Sequence, residues 1–213
     1  MFAVGLIKDK TGVYDFEIPQ PEIRRPDEVL IRIKEVGIDG TDINLVRYNL
    51  QDLPEGKDRI VMGHEGVGVI EEAGKDVKSV RPGDIVAITV RRGCGECSPC
   101  LRNASDMCLT GRYKERGLHK LDGYLTRYVV EQEQYVVKVP PDLAKLAVLT
   151  EPTSIVEKGV QELRLIQSRA PLTCVHDEHG YSLSQWGGCK IALVVGAGPL
   201  GLLATSLLRL AGV

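Results

Sequence analysis

Gly63-His64-Glu65-Gly66-Val67-Gly68 sets an imidazole and a carboxylate side by side among glycines, where backbone can fold tightly around them. Imidazole with carboxylates suits a catalytic Zn²⁺, which takes about three protein ligands and keeps one position open. Gly37-Ile38-Asp39-Gly40-Thr41-Asp42 and Glu151-Pro152 carry further carboxylates that could complete such a set. A His–Glu pair taken alone is more often simply hydrogen-bonded. The company of the other two segments gives the metal reading its weight.

A second constellation is Cys94, Cys97, Cys100 and Cys108, spaced C-x2-C-x2-C-x7-C. Four thiolates at such short intervals can close on one Zn²⁺ tetrahedrally and leave no position for substrate, which makes the ion structural. It would staple a loop too irregular to hold itself. Free or disulfide-bonded cysteines and an iron–sulfur cluster are the rival readings of the same spacing. Cys174 and Cys189 lie far off and read as ordinary thiols.

The third is Gly196-Ala197-Gly198-Pro199-Leu200-Gly201. It follows the apolar run 189–195, of the kind buried in parallel sheets, and opens the helix-like stretch 202–210. That context is what a dinucleotide fingerprint requires. Glycines let backbone approach a pyrophosphate, and a helix N-terminus offers it N–H groups. The simpler alternative is a Gly-rich turn without a ligand. The side chain that chooses between NAD and NADP is expected about twenty residues further on, beyond Val213.

These groups need elements to hold them. Residues 2–8 and 29–36 alternate apolar and charged side chains, a half-buried strand signal. Further strand-like runs occupy 67–72, 84–90, 124–130 and 135–139, separated by Gly- and Pro-rich turns, which argues for a β-barrel or sandwich over 1–150 with the cysteine lobe at 91–110. The spacing of Ile155, Val156, Gly159, Val160, Leu163 and Ile166 predicts a helix over 152–167 with one buried face. The rest of the connecting segment 151–189 is turn-rich. Its His176-Asp177-Glu178-His179 reads as a solvated loop, and Trp186 receives no role. Residues 190–213 are the first βα unit of a nucleotide-binding domain, which cannot form a sheet alone. Lys+Arg 27 against Asp+Glu 29 leaves a net charge of -2 over 213 residues, which suggests neither nucleic acid nor an acidic membrane as partner. No secretory signal or membrane-spanning run is legible, so the expected location is cytoplasmic.

Together these motifs resemble the zinc-dependent medium-chain dehydrogenases, and within them the archaeal-type glucose dehydrogenases. The resemblance rests on Gly37 to Asp42, Gly63-His64-Glu65, Arg91-Arg92-Gly93-Cys94, Gly117 to Gly123, Glu151-Pro152 and Gly196 to Gly201. It covers the N-terminal half to two thirds of such a protein, so the chain is expected to be a fragment. The resemblance implies a GroES-like β-barrel catalytic domain followed by the start of an α/β Rossmann domain. It implies Asp39, His64 and Glu151 as catalytic zinc ligands, with Glu65 close enough to ligate during turnover, Thr41 and Glu65 as catalytic residues, and Thr41, Glu115 and Glu151 as substrate contacts. Most relatives carry cysteine at the position of Asp39, and many alcohol dehydrogenases of the family a histidine at that of Asn44. The implied activity is NAD(P)-linked oxidation of an aldose, D-glucose first, to its lactone by a homo-oligomer. Another polyol, threonine or alcohol dehydrogenase is the alternative, as is a zinc-binding domain without catalysis. His119 is read as a structural or pocket-wall residue.

Overall fold

A computed structural model describes residues 1–168 and 190–213. His176 to His179, Cys174, Cys189 and Trp186 lie outside the described residues. The chain divides into two compact units, Met1–Leu149 and Thr150–Val213.

The first unit is built from three sheets. β1 (Phe2–Ile7), β2 (Tyr14–Glu17) and β4 (Arg59–Val61) form one, with β1 central. β3 (Glu28–Gly37), β5 (Glu65–Ala73), β6 (Ile85–Ile88), β10 (Tyr128–Gln132) and β11 (Val136–Lys138) form the largest, in the order β10-β3-β5-β6-β11 and antiparallel throughout. β7 (Arg91–Arg92), β8 (Lys114–Arg116) and β9 (Lys120–Leu121) form a small sheet beside the cysteine lobe, in which β8 and β9 run parallel. Val29, Ile31, Ile70, Val86 and Ile88 meet in the core of the large sheet. Burial of one such side chain contributes about 1.5–3 kcal/mol.

The strands expected at 2–8, 29–36, 67–72, 84–90 and 135–139 are present with ends shifted by a few residues. The run at 124–130 is different: its strand begins only at Tyr128. The amides of Gly123, Tyr124 and Leu125 donate instead to the carbonyls of Val61, Gly63 and Met62, at 2.7, 2.9 and 2.9 Å. The first part of that run is therefore a crossing between sheets, pinned by the fully buried Tyr124.

Beneath this crossing lies a buried ionic triad. Glu131, only 4% exposed, pairs with Arg92 at 2.8 Å and with Arg116. Arg92 also lies over the Tyr135 ring at 3.9 Å, and Arg116 donates to the carbonyl of Asp122 at 2.8 Å. The Tyr124 hydroxyl donates to the carbonyl of Thr89 at 2.9 Å. Burial, reinforced by the Glu131 charge, holds its phenol far above the ordinary range.

In the second unit α3 (Thr150–Ser168) and α4 (Pro199–Leu210) pack against each other. The helix at 152–167 forms as expected, but its apolar side is not buried: Ile155, Leu163 and Ile166 are all exposed. Periodicity reports the face a helix can bury and not whether a partner is there. The expected parallel strand at 189–195 also needs correction, because residues 190–197 join no ladder. Ile191, Leu193 and Val195 are 102%, 89% and 90% exposed. A parallel strand requires neighbours, and none of the described residues supplies one. No helix among the described residues is long and apolar enough to cross a membrane.

Candidate active site

The register of the large sheet sets up the site. Gly37, the last residue of β3, pairs with Glu65, the first of β5. Asp39 lies two residues beyond the end of one strand and His64 one residue before the start of the other, so the two are brought side by side. Their closest atoms, Asp39 Oδ2 and His64 Nε2, are 3.8 Å apart. Two ligands at about 2.0–2.1 Å from one tetrahedral zinc lie roughly 3.4 Å apart. Asp39, His64 and Glu65 each offer a ligand atom within 4.8 Å of the others.

Asp39 is also the N-cap of α1 (Gly40–Arg47). Its Oδ1 accepts from the amides of Thr41 and Asp42 at 2.7 and 3.0 Å, and its Oδ2 from the Thr41 hydroxyl at 2.9 Å. Asp42 completes the capping box by accepting from the Asp39 amide at 3.3 Å. The helix turns Asp42 and Leu45 inward, and Asp42 Oδ2 comes to 3.7 Å from His64 Nδ1. That separation exceeds hydrogen-bond reach, so Asp42 is a buried near neighbour of the imidazole. Asp42 belongs to a quoted segment but received no role from the sequence. The signal that could have found it is the acidic residue three positions after an Asp N-cap, the spacing of a capping box.

Glu65 is 9% exposed. Burial pushes its carboxyl pKa up, the His64 charge opposes this, and Asp39 and Asp42 add to it. A Cβ on Gly37 would lie 1.8 Å from Glu65 Oε2, so any larger residue there would have to displace this carboxylate. Three acids thus surround one imidazole, and among the described residues no lysine or arginine forms an ion pair with any of them. Such a donor set fits a divalent cation. Glu151 lies in the first turn of α3, in the second unit.

If Asp39 both caps and ligates, the two roles separate by substitution. Asp39→Asn keeps a cap oxygen and is expected to leave the urea midpoint almost unchanged while zinc affinity falls by about 100-fold or more. Asp39→Ala loses the cap as well and costs about 1 kcal/mol further. Wild-type zinc retention by Asp39→Asn would show that the residue only caps.

The four cysteines converge as their spacing predicts, their sulfurs all within 4.8 Å of one another. A tetrahedral zinc with Zn–S of about 2.3 Å needs sulfurs roughly 3.8 Å apart, so the cluster fits this ion. All four are free thiols, which removes the disulfide reading. The Thr110 hydroxyl and the Cys97 amide draw the Cys94 thiol down to about 6, towards the ligating thiolate, whereas burial pushes Cys100 up. The lobe itself has little packing. α2 (Ser98–Leu101) is a single turn, and Leu101, Met107 and Leu109 are exposed.

Thr41 lies on the exposed side of the Asp39 cap, and Glu115 in β8 pairs with Arg91. The turn at 196–201 has the shape its glycines suggest. Gly196 adopts φ +104°, Gly198 is the N-cap of α4, and a Cβ on Gly201 would meet the Gly196 carbonyl oxygen at 2.0 Å. The turn closes tightly against a helix N-terminus, a geometry that fits a pyrophosphate.

Residues 25–141 match the alcohol dehydrogenase GroES-like domain. The chain is 42% identical over 203 residues to glucose 1-dehydrogenase of Methanocella arvoryzae, covering 95% of this chain and 52% of that one. A solved structure of Haloferax mediterranei glucose dehydrogenase, in complex with NADP, Zn and gluconolactone, aligns with a TM-score of 0.72 at 34% identity, covering 82% of this chain and 48% of that one. Galactitol-1-phosphate dehydrogenase from Escherichia coli aligns with a TM-score of 0.74 at 26% identity, over 100% of this chain and 53% of that one. The chain spans about half the length of the relatives it matches. With the family's domain matched over more than half of this chain and Asp39, His64 and Glu65 converging at the edge of its sheet, the chain belongs to the alcohol dehydrogenase GroES-like domain family.

Proposed function

We propose that this chain is the catalytic half of a zinc-dependent, NAD(P)-linked dehydrogenase that oxidises an aldose, D-glucose first, to its lactone. The observation that carries the reading is the convergence of Asp39, His64 and Glu65 from the ends of two paired strands. The similarity to glucose 1-dehydrogenases supports the choice of substrate. When bound, zinc supplies a Lewis acid that acidifies a substrate hydroxyl, and the nicotinamide ring supplies the hydride acceptor.

The chain's own residues do the rest. Asp39 and His64 would hold the ion, Glu65 would stand by as a further ligand, and Asp42 would flank the imidazole. The Thr41 hydroxyl, 2.9 Å from Asp39 Oδ2, receives the proton leaving the substrate and passes it outward. Asn44 follows three positions later and cannot titrate, so water completes the relay. Glu115 accepts hydrogen bonds from other hydroxyls of the sugar, and the backbone from Gly196 to Gly201 cradles the cofactor pyrophosphate. Exposed Leu101, Met107 and Leu109 on the cysteine lobe support self-association, and the proposed location is the cytoplasm.

The test is a panel of aldoses, polyols and simple alcohols with NAD and with NADP, run on the protein as its source organism produces it. Aldose-dependent NAD(P)H formation that a chelator abolishes and zinc restores is expected. Turnover of simple alcohols with no aldose active would overturn the sugar assignment.

A further inference from the structure

We infer that Arg91 is a positioning residue for substrate selection: it clamps one oxygen of Glu115 and so presents the other to the hydroxyl groups of a polyhydroxylated substrate. The inference rests on the aldose reading above. Arg91 and Glu115 are register partners across β7 and β8. The guanidinium donates to Glu115 Oε1 twice, from Nε at 2.8 Å and from Nη2 at 2.5 Å. Its remaining Nη1 reaches the Asp106 carbonyl at 3.3 Å, in the loop between Cys100 and Cys108. Among the described residues no hydrogen bond reaches Glu115 Oε2, and the side chain is 19% exposed. One oxygen is held while the other remains accessible, the geometry that accepts a hydroxyl.

The plane of the guanidinium is fixed from its face as well as its edge. The Tyr113 ring lies 4.3 Å from the guanidinium carbon, and the His119 ring lies against Tyr113 at 5.0 Å. His119 Nδ1 in turn pairs with the Asp52 carboxylate. Tyr113 stands one residue before β8 and two before Glu115. The series Asp52, His119, Tyr113, Arg91 ends on Glu115 Oε1. Lysine could supply the charge at position 91 but not the fork or the flat face. A site built to hydrogen-bond substrate hydroxyls discriminates strongly against substrates that lack them, because its polar atoms are then left unpaired.

The test is a double-mutant cycle in the intact protein with D-glucose as substrate. Arg91→Lys is expected to raise KM by about tenfold with kcat falling less than about threefold. Adding Glu115→Gln should bring no loss beyond that of Glu115→Gln alone, because both act through one carboxylate. Tyr113→Leu tests the same clamp from its face without touching either charge and should raise KM by about threefold or more, whereas Tyr113→Phe should stay near wild type. Independent, additive losses, or an unchanged KM for Arg91→Lys in a wild type that oxidises glucose, would overturn the inference and leave the aldose reading standing. A wild type that oxidises no aldose would remove both.

Discussion

Glu131→Ala should destabilise the β-rich unit by about 3–5 kcal/mol, read as a lowered urea midpoint. Glu131 is the only acid of a triad whose two arginines, Arg92 and Arg116, are 11% and 13% exposed. Removing it leaves two buried guanidinium groups facing each other, and each must either find water or repel the other. A domain has only about 5–15 kcal/mol in total, so a loss of this size separates the variant from wild type in any denaturation experiment. Because Arg92 also packs on Tyr135 and lies against the Tyr124 hydroxyl, disturbance should spread to the crossing that seats Gly63 and His64. A change below about 1 kcal/mol would mean that the arginines reach solvent and that the triad behaves as a surface pair.

The second large effect concerns the metal centre. His64→Ala in the intact protein is expected to remove about one equivalent of zinc per chain while the cysteine lobe keeps its own. Dehydrogenase activity should fall by about a thousandfold or more, corresponding to about 4 kcal/mol of lost electrostatic stabilisation. The imidazole is the only nitrogen donor among Asp39, His64 and Glu65, and two carboxylates alone hold zinc weakly at neutral pH. Metal analysis gives a readout independent of turnover. Unchanged zinc content in His64→Ala would dismiss the three-residue cluster as a metal site.

Local rules made much of this molecule readable. The cysteine spacing and the glycine turn before α4 each follow from a few neighbouring residues and stand in the structure as expected, whereas β3 forms without the expected alternation, Val29, Leu30 and Ile31 being buried in succession. Asp39 and His64 were legible as chemistry, but their meeting depends on a strand pairing, Gly37 with Glu65, which no local pattern specifies. The Arg92–Arg116–Glu131 triad was not legible. Its members are separated by many residues, and each alone reads as an ordinary surface charge. The reverse happened at 190–195 and along α3, where strong apolar patterns promised burial. Those patterns record what a segment can bury: α3 packs against α4 yet leaves Ile155, Leu163 and Ile166 exposed, and residues 190–197 join no ladder.

Asp39 sets the two candidate metal clusters apart in one respect. One oxygen of this carboxylate anchors α1 whether or not a cation sits on the other, so the helix and its inward Asp42 hold their positions independently of the ion. Exchange of an ion at that centre is then a local coordination event, over as soon as a ligand is replaced. The cysteine lobe has one helical turn and exposed leucines in place of such an anchor. Filling or emptying the cysteine cluster is therefore expected to be coupled to the folding of its loop, whereas the Asp39 cluster keeps its scaffold either way.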